Sequence, residues 1–207
     1  LGLRGLALLA MRRHDEEQVL ALLVRAQALK PKGAWGLNAL FDLRTARREW
    51  QEAAALLAVA ARARLVTPDI ANRRRGVLLT AQAEDEDRAG ADDAALLHAL
   101  EALTLAPGLT VAALIATAPL AKQGRAWKAQ DIIEAAWVQA PHPDLAQAYA
   151  AIHPDDDREA RARRLAGLAQ LNPMHRESRI LAAEQGIARK RWVEARAMLE
   201  LLVRELP

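Results

Sequence analysis

Six prolines set the terms for any fold of this 207-residue chain. Pro31, Pro68, Pro107, Pro141, Pro173 and Pro207 each follow an amphipathic run rich in Ala and Leu, at spacings of 37, 39, 34, 32 and 34 residues. Proline lacks a backbone N–H and pushes the preceding residue out of the α region, so each one ends a helix. The end phrases repeat as well, in Ala28-Leu29-Lys30-Pro31, Thr104-Leu105-Ala106-Pro107, Gln170-Leu171-Asn172-Pro173 and Arg204-Glu205-Leu206-Pro207. A helical stop at this period, with one turn between stops, describes stacked helix pairs.

Composition points the same way and closes other routes. The chain is 52% hydrophobic yet only 3% aromatic, and most of the apolar share is Ala and Leu. Ala, Leu, Arg and Glu are helix formers, whereas strands favour Val, Ile, Thr and aromatics. This argues against a β-sandwich or a Rossmann fold. With no cysteine there is no disulfide, thiolate zinc site or cysteine nucleophile. No eighteen apolar residues run uninterrupted, so the chain holds no membrane span of its own. The apolar fraction is too high for a disordered protein. Because the chain starts at Leu1, a fragment is expected, with a targeting segment or anchor upstream. Net charge is +3, and 24 of the 29 basic residues are Arg because only five are Lys. That balance is a weak basis for nucleic-acid binding, and no nucleic-acid partner is expected.

The pattern resembles the tetratricopeptide repeat, a 34-residue helix pair with small residues at fixed offsets and a terminal proline. Twelve residues before each proline a small residue should sit where the second helix packs on the first. The count reaches Val19, Ala95, Ala129, Arg161 and Ala195, and three extra residues in the second unit move it to Ala53. Five before the proline, Ala26, Ala102 and Ala136 obey, while Leu168 and Leu202 make the last two units looser. A turn element recurs in Arg48-Glu49-Trp50-Gln51-Glu52-Ala53, Gly124-Arg125-Ala126-Trp127-Lys128-Ala129 and Lys190-Arg191-Trp192-Val193-Glu194-Ala195. The expected fold is therefore all-α, a tetratricopeptide-like α-solenoid whose six or so antiparallel helix pairs wind as a right-handed superhelix. One repeat domain covers 1–207, with repeats near 1–33, 34–68, 69–107, 108–141, 142–173 and 174–207. Helices are expected at 2–12, 15–29, 34–46, 49–64, 69–84, 92–105, 109–123, 126–139, 143–151, 157–171, 175–188 and 191–205. Residues 84–92 then form an expanded third turn, and in the fifth unit Asp156 or Asp157, in the turn at 153–157, caps the second helix. The last helix would expose an apolar face unless more chain, or a partner, covers it.

Several phrases are similar to the HemY family of proteobacterial proteins. They are Leu1-Gly2-Leu3-Arg4-Gly5-Leu6-Ala7, the stretch from Pro31 through Gly33-Ala34-Trp35 to Trp50, Arg74-Arg75-Gly76-Val77-Leu78-Leu79, Leu105-Ala106-Pro107-Gly108, Ala135-Ala136-Trp137 with Ala140-Pro141-His142-Pro143-Asp144-Leu145, and Leu171-Asn172-Pro173. The resemblance implies the tetratricopeptide domain of a bacterial inner-membrane protein with two N-terminal membrane helices, associated with a late stage of haem biosynthesis. It also implies haem-pathway enzymes as partners. No flavin-binding Gly-x-Gly-x-x-Gly occurs, so the unrelated flavin-dependent oxidase of the same name is not supported.

Candidate sites follow from the repeat register. The concave groove of such arrays is lined by first helices, and by offset Arg4, Trp35, Asn38, Asp42, Arg73 and Glu84 face it. This mixed set would hold a protein or peptide, but lacks the Lys/Asn clamp used for terminal carboxylates. Trp50, Trp127 and Trp192 read as turn packing. Arg73, Arg74 and Arg75 point in different directions on a helix, so one can face the groove while another pairs with the loop at 84–87. The five histidines (His14, His98, His142, His153, His175) include no i, i+4 pair and mostly fall near turns, so neither a metal nor any cofactor is expected. The acidic runs at 84–87 and 155–157 are read as solvated turns. No phosphate loop or nucleophile elbow is present, so the chain is not expected to be an enzyme and no catalytic residue is assigned. The expected role is a non-catalytic interaction scaffold. The alternatives are a haem- or porphyrin-handling module and a nucleic-acid-binding helical repeat.

Overall fold

This computed structural model describes residues 2–204, and among them every regular element is an α-helix. In order these are α1 (Leu3–Arg12), α2 (Glu16–Leu29), α3 (Ala34–Ala46), α4 (Trp50–Arg62), α5 (Pro68–Arg88), α6 (Asp92–Leu105), α7 (Thr110–Lys122), α8 (Ala126–Gln139), α9 (Pro143–Ala151), α10 (Arg158–Gln170), α11 (Arg176–Ala188) and α12 (Trp192–Arg204). The readings that fall on Leu1, Glu205, Leu206 and Pro207, the sixth proline stop among them, lie outside the described residues. The fold is all-α and tetratricopeptide-like: within each unit short turns join helices into antiparallel pairs, and neighbouring pairs stack. The chain forms two compact units, Leu1–Gln82 and Ala83–Pro207, and the division falls within α5.

One turn chemistry recurs between the helices of a pair. His14, Arg48, Gly90, Gly124 and Lys190 all have φ between 56° and 75°, the left-handed region that ends helices. The residue after each donates its N–H five residues back: Asp15 to Ala10 O (3.1 Å), Glu49 to Arg44 O (2.9 Å), Ala91 to Glu86 O (2.9 Å), Arg125 to Leu120 O (2.9 Å) and Arg191 to Gly186 O (2.8 Å). This pairing satisfies carbonyls that a helix end would otherwise leave open, and it reverses the chain in the fewest residues.

The prolines act at two kinds of position. Pro31, Pro107, Pro141 and Pro173 stand two or three residues past α2, α6, α8 and α10. Pro68 instead opens α5, where its fixed φ and missing N–H suit the first helical turn. The expected third turn is shorter than the sequence suggested, because α5 continues to Arg88. Arg88 reaches back to Glu84 at 3.3 Å and to Asp85, pairs at i+4 and i+3 that hold the last turn of a helix. Residues 84–87 are therefore helix and not the loop that Arg73–Arg75 was expected to meet. At the next irregularity Asp157 is the cap, its Oδ1 accepting from Ala160 N at 2.7 Å, and Asp156 is used elsewhere.

The cores are built from small residues. In the first unit Ala7, Ala10, Val19, Leu23 and Leu40 pack with Trp35, and Ala53, Leu57 and Leu78 pack with Phe41 and Trp50. In the second, Ala95, Ala129, Ala136 and Ala195 are buried, with Ile133, Trp137 and Leu145 filling the space between helices. The offset residues Val19, Ala53, Ala95, Ala129 and Ala195 are thus all buried. Arg161 is the exception: it is exposed, and the buried small residue is its neighbour Ala162. A long cation cannot occupy a helix crossing, so α10 places the next residue there. Leu168 and Leu202, where Ala was the rule, are both buried. Among the described residues no helix is long and apolar enough to cross a membrane.

Candidate functional site

In the first unit the first helices α1 and α3 are brought together through one aromatic contact. The Arg4 guanidinium lies 5.7 Å from the centre of the Trp35 ring, within range of a cation–π attraction. Trp35 is half-buried, with its inner side against the cluster of Ala7, Leu23 and Leu40. Asn38 and Asp42 follow it at i+3 and i+7, which places all three on one stripe of α3. Both are exposed, and the Asp42 carbonyl is occupied by the Thr45 hydroxyl at 2.8 Å. Leu8 and Met11 continue the Arg4 stripe along α1, 48% and 39% exposed.

Of the six residues assigned to the groove, then, Arg4, Trp35, Asn38 and Asp42 lie on the faces of α1 and α3. Arg73 is exposed on α5 in the same unit, between exposed Ile70 and Val77 at i−3 and i+4. Glu84 lies in the second unit, half-buried and ion-paired with Arg88 on its own helix. The apolar neighbours Leu8, Met11, Ile70 and Val77 were missed as surface residues. Their i, i+3, i+4, i+7 spacing also fits a core stripe, and sequence alone does not say which side is covered.

The tryptophans correct the sequence reading. Trp50 packs as expected, against Ala53, Leu57 and Leu78. Trp127 is 65% exposed and Trp192 is 59% exposed, so neither is buried turn packing. Trp127 precedes its small partner Ala129 by two residues where Trp50 precedes Ala53 by three. That offset turns the ring by roughly 100° off the packing face. Trp192 keeps the register of Trp50, but instead lines an open apolar hollow with Ile187, Leu199 and Val203.

Three of the five histidines, His14, His142 and His175, serve helix ends. His142 and His175 cap α9 and α11, each Nδ1 accepting a backbone N–H two residues on, from Asp144 and Glu177, at 3.2 Å. His14 is one of the left-handed turn residues, and His98 Nδ1 is 2.7 Å from Glu86 Oε2. His153 borders a hollow with Asp156, Arg163 and Arg164. Among the described residues no three His, Asp or Glu side chains are placed to hold a metal ion.

The second unit contains a polar interlock that sequence reasoning did not find. The Tyr149 hydroxyl, on α9, donates to Glu134 Oε1 on α8 at 2.6 Å and accepts from Gln130 Nε2 at 3.0 Å. Above the ring, the Arg164 guanidinium of α10 lies 5.0 Å from its centre. Arg164 also donates to Asp156 Oδ2 at 2.7 Å and to the Tyr149 carbonyl at 2.6 Å. Burial, joined by the hydrogen bond and charge of Glu134, pushes the phenol pKa far above its ordinary range. In this arrangement the phenol donates to Glu134 and accepts from Gln130. The partners lie 15 to 19 residues apart on three helices, so no local motif announces them. The Trp137 indole, fully buried, donates to Ser178 Oγ at 3.0 Å and ties α8 to α11.

No family model matches the chain. The chain is 30% identical over 156 residues to a probable magnetosome protein, Mms48, of Magnetospirillum gryphiswaldense, an overlap of 75% of this chain and 34% of that protein. The chain thus spans about a third of the length of that relative. Among solved structures it is similar to a tetratricopeptide repeat protein from Parabacteroides merdae, with a TM-score of 0.47 and 14% identity over 99% of this chain and 79% of that one. It is also similar to YrrB, a tetratricopeptide protein with an unusual peptide-binding site, with a TM-score of 0.45 and 20% identity over 83% and 86% of the two chains. BtubC from P. vanneervenii gives a TM-score of 0.40 at 15% identity, over 99% of this chain and 91% of that chain.

Proposed function

We propose that this chain is a non-catalytic scaffold that holds a protein or peptide partner on the faces of its first helices. The observation that carries this reading is the joined face of α1 and α3. There Arg4 covers Trp35, while Asn38 and Asp42 beside them, and Leu8 and Met11 along α1, meet solvent. A surface of exposed apolar residues interleaved with directional polar groups is what a partner segment needs for both burial and register. Asn38→Lys with Asp42→Lys should reduce partner recovery in a pull-down with the full-length protein by roughly fivefold or more. The melting temperature should stay within a few degrees, since both side chains are exposed. Unchanged recovery from a folded variant would remove this surface from the binding function.

The finer reading rests on the HemY-like phrases along the chain, Arg74-Arg75-Gly76-Val77-Leu78-Leu79 and Ala140-Pro141-His142-Pro143-Asp144-Leu145 among them. In that reading the domain works at the bacterial inner membrane and keeps a haem-pathway enzyme close to it. Cross-linking and mass spectrometry of the full-length protein in membranes should recover such an enzyme attached to Arg4-bearing or Asn38-bearing peptides. Cross-links only to proteins outside that pathway would overturn the haem assignment and leave the scaffold reading standing.

A further inference from the structure

We infer that a cavity between α9 and α11 of the second unit is a recognition pocket for the cationic side chain, Arg or Lys, of a partner peptide. The cavity is about 250 Å³, the space of roughly eight liquid waters. Two helical stripes of identical spacing face each other across it. On α9 they are Pro143, Ala146, Gln147 and Ala150, and on α11 Glu177, Ile180, Leu181 and Glu184. Each runs i, i+3, i+4, i+7, so each is one continuous face.

The two faces differ in a way that suits one kind of side chain. Ala146 and Ala150 are short, and their missing bulk opens the hollow. Its floor is apolar, formed by buried Trp137, Leu165 and Leu181. Its edges are polar, with the Glu177 and Glu184 carboxylates two turns apart along α11, and the amides of Gln147 and Gln185. A long cationic side chain matches this order, laying its methylene stem on the apolar floor and its charged head against a carboxylate at the mouth. Neither carboxylate has an ion-pair partner among the described residues. Arg176 and Arg179 of the same helix fall roughly 100° and 200° around from Glu177, so neither lies on this stripe. On a chain with 24 arginines and a net charge of +3, the pocket is a local reversal of sign. It therefore favours a basic partner over an acidic one.

The floor itself is fixed before any ligand arrives. Trp137 is held by its hydrogen bond to Ser178, and α9, only nine residues long, packs against α8, α10 and α11. Binding would then order only the ligand, which reduces its entropic cost.

The inference shares the interaction reading of the chain but not its surface, since Asn38 and Asp42 lie in the other unit. The test uses the whole chain and acetylated, amidated pentapeptides whose central residue is Arg, Lys, norleucine or Glu between Ser and Ala. The readout is the indole N–H resonance of Trp137. The Arg and Lys peptides should shift it saturably, and the norleucine and Glu peptides should not. Glu177→Gln with Glu184→Gln should weaken the Arg peptide roughly tenfold, with the other four indole signals unmoved. Ala150→Leu, which fills the hollow, should abolish the shift. Equal binding of norleucine and Lys would make the pocket merely apolar and overturn the proposal. So would retained affinity in the double Gln variant, or no shift with any peptide. Each of these results leaves the pull-down at Asn38 and Asp42 to be decided separately.

Discussion

At the scale of single residues, the left-handed turn positions are where this chain's composition meets a physical limit. A side chain in that region costs about 1–2 kcal/mol against glycine, yet His14, Arg48 and Lys190 accept it where Gly90 and Gly124 avoid it. A Cβ at Gly124 would meet nothing within 4 Å, so Gly124→Ala isolates the backbone term. It should lower stability by about 1 kcal/mol, a drop of roughly 2–4 °C in melting temperature for a chain of this size. His14→Gly should raise stability by up to about 1 kcal/mol, and opposite signs in a paired thermal melt would confirm the shared turn. Tyr149 supplies a pH test. Its phenol has a higher pKa folded than its ordinary value of 10.0, so above that pH the unfolded chain releases a proton that the folded one retains. Stability should therefore be intact below about pH 10 and fall as pH rises beyond it, by at most about 1.4 kcal/mol per pH unit. Tyr149→Phe should lack that alkaline component in denaturant titrations at pH 9 to 11. It should also lose about 1 kcal/mol at neutral pH, because Glu134 keeps Gln130 as a donor but loses the phenol.

At the scale of elements, the period of the prolines and the amphipathic runs between them were enough to place each helix among the described residues. Helix ends in this chain are written locally, by Asp15 and Asp157 at N-caps and by prolines just past C-termini. The one large departure, α5 running on to Arg88, follows from ion pairs among Glu84, Asp85 and Arg88, a stretch whose charges also suit a turn. The surface was less legible than the helices. Trp192 has the register of Trp50 but not its cover, and burial depends on what the neighbouring element brings. Helix approach can be tested at Gly186, where an added Cβ would stand 3.2 Å from the Ala195 Cβ. Gly186→Ala should push α11 from α12 and cost about 1–3 kcal/mol, read as an earlier transition in a urea melt. A neutral result would mean that the crossing relaxes freely.

At the scale of the whole molecule, charge is distributed in a way that speaks to partners. Many arginines are engaged by acids within the fold, among them Arg44 with Glu49, Arg164 with Asp156, Arg189 with Glu159 and Arg196 with Glu200. A nucleic-acid binder presents a basic face that releases counterions, with steep salt dependence. Duplex DNA and single-stranded RNA should therefore show no retardation in a low-salt gel shift with this chain. A salt-sensitive shift at low micromolar protein would restore the nucleic-acid reading. The sequence by itself determined the class of the helices among the described residues, most of their ends, and most of the small residues at which they cross. Those properties depend on residues within one or two turns of each other, where backbone hydrogen bonding and period act alone. Only the tertiary structure decided that Arg4 lies on Trp35, that Tyr149 is locked by Glu134 and Arg164, and that Ala146 and Ala150 open a hollow facing Glu177 and Glu184. Each of these joins residues from separate helices, and their meeting depends on how far apart the intervening side chains hold the helices, which no periodicity records.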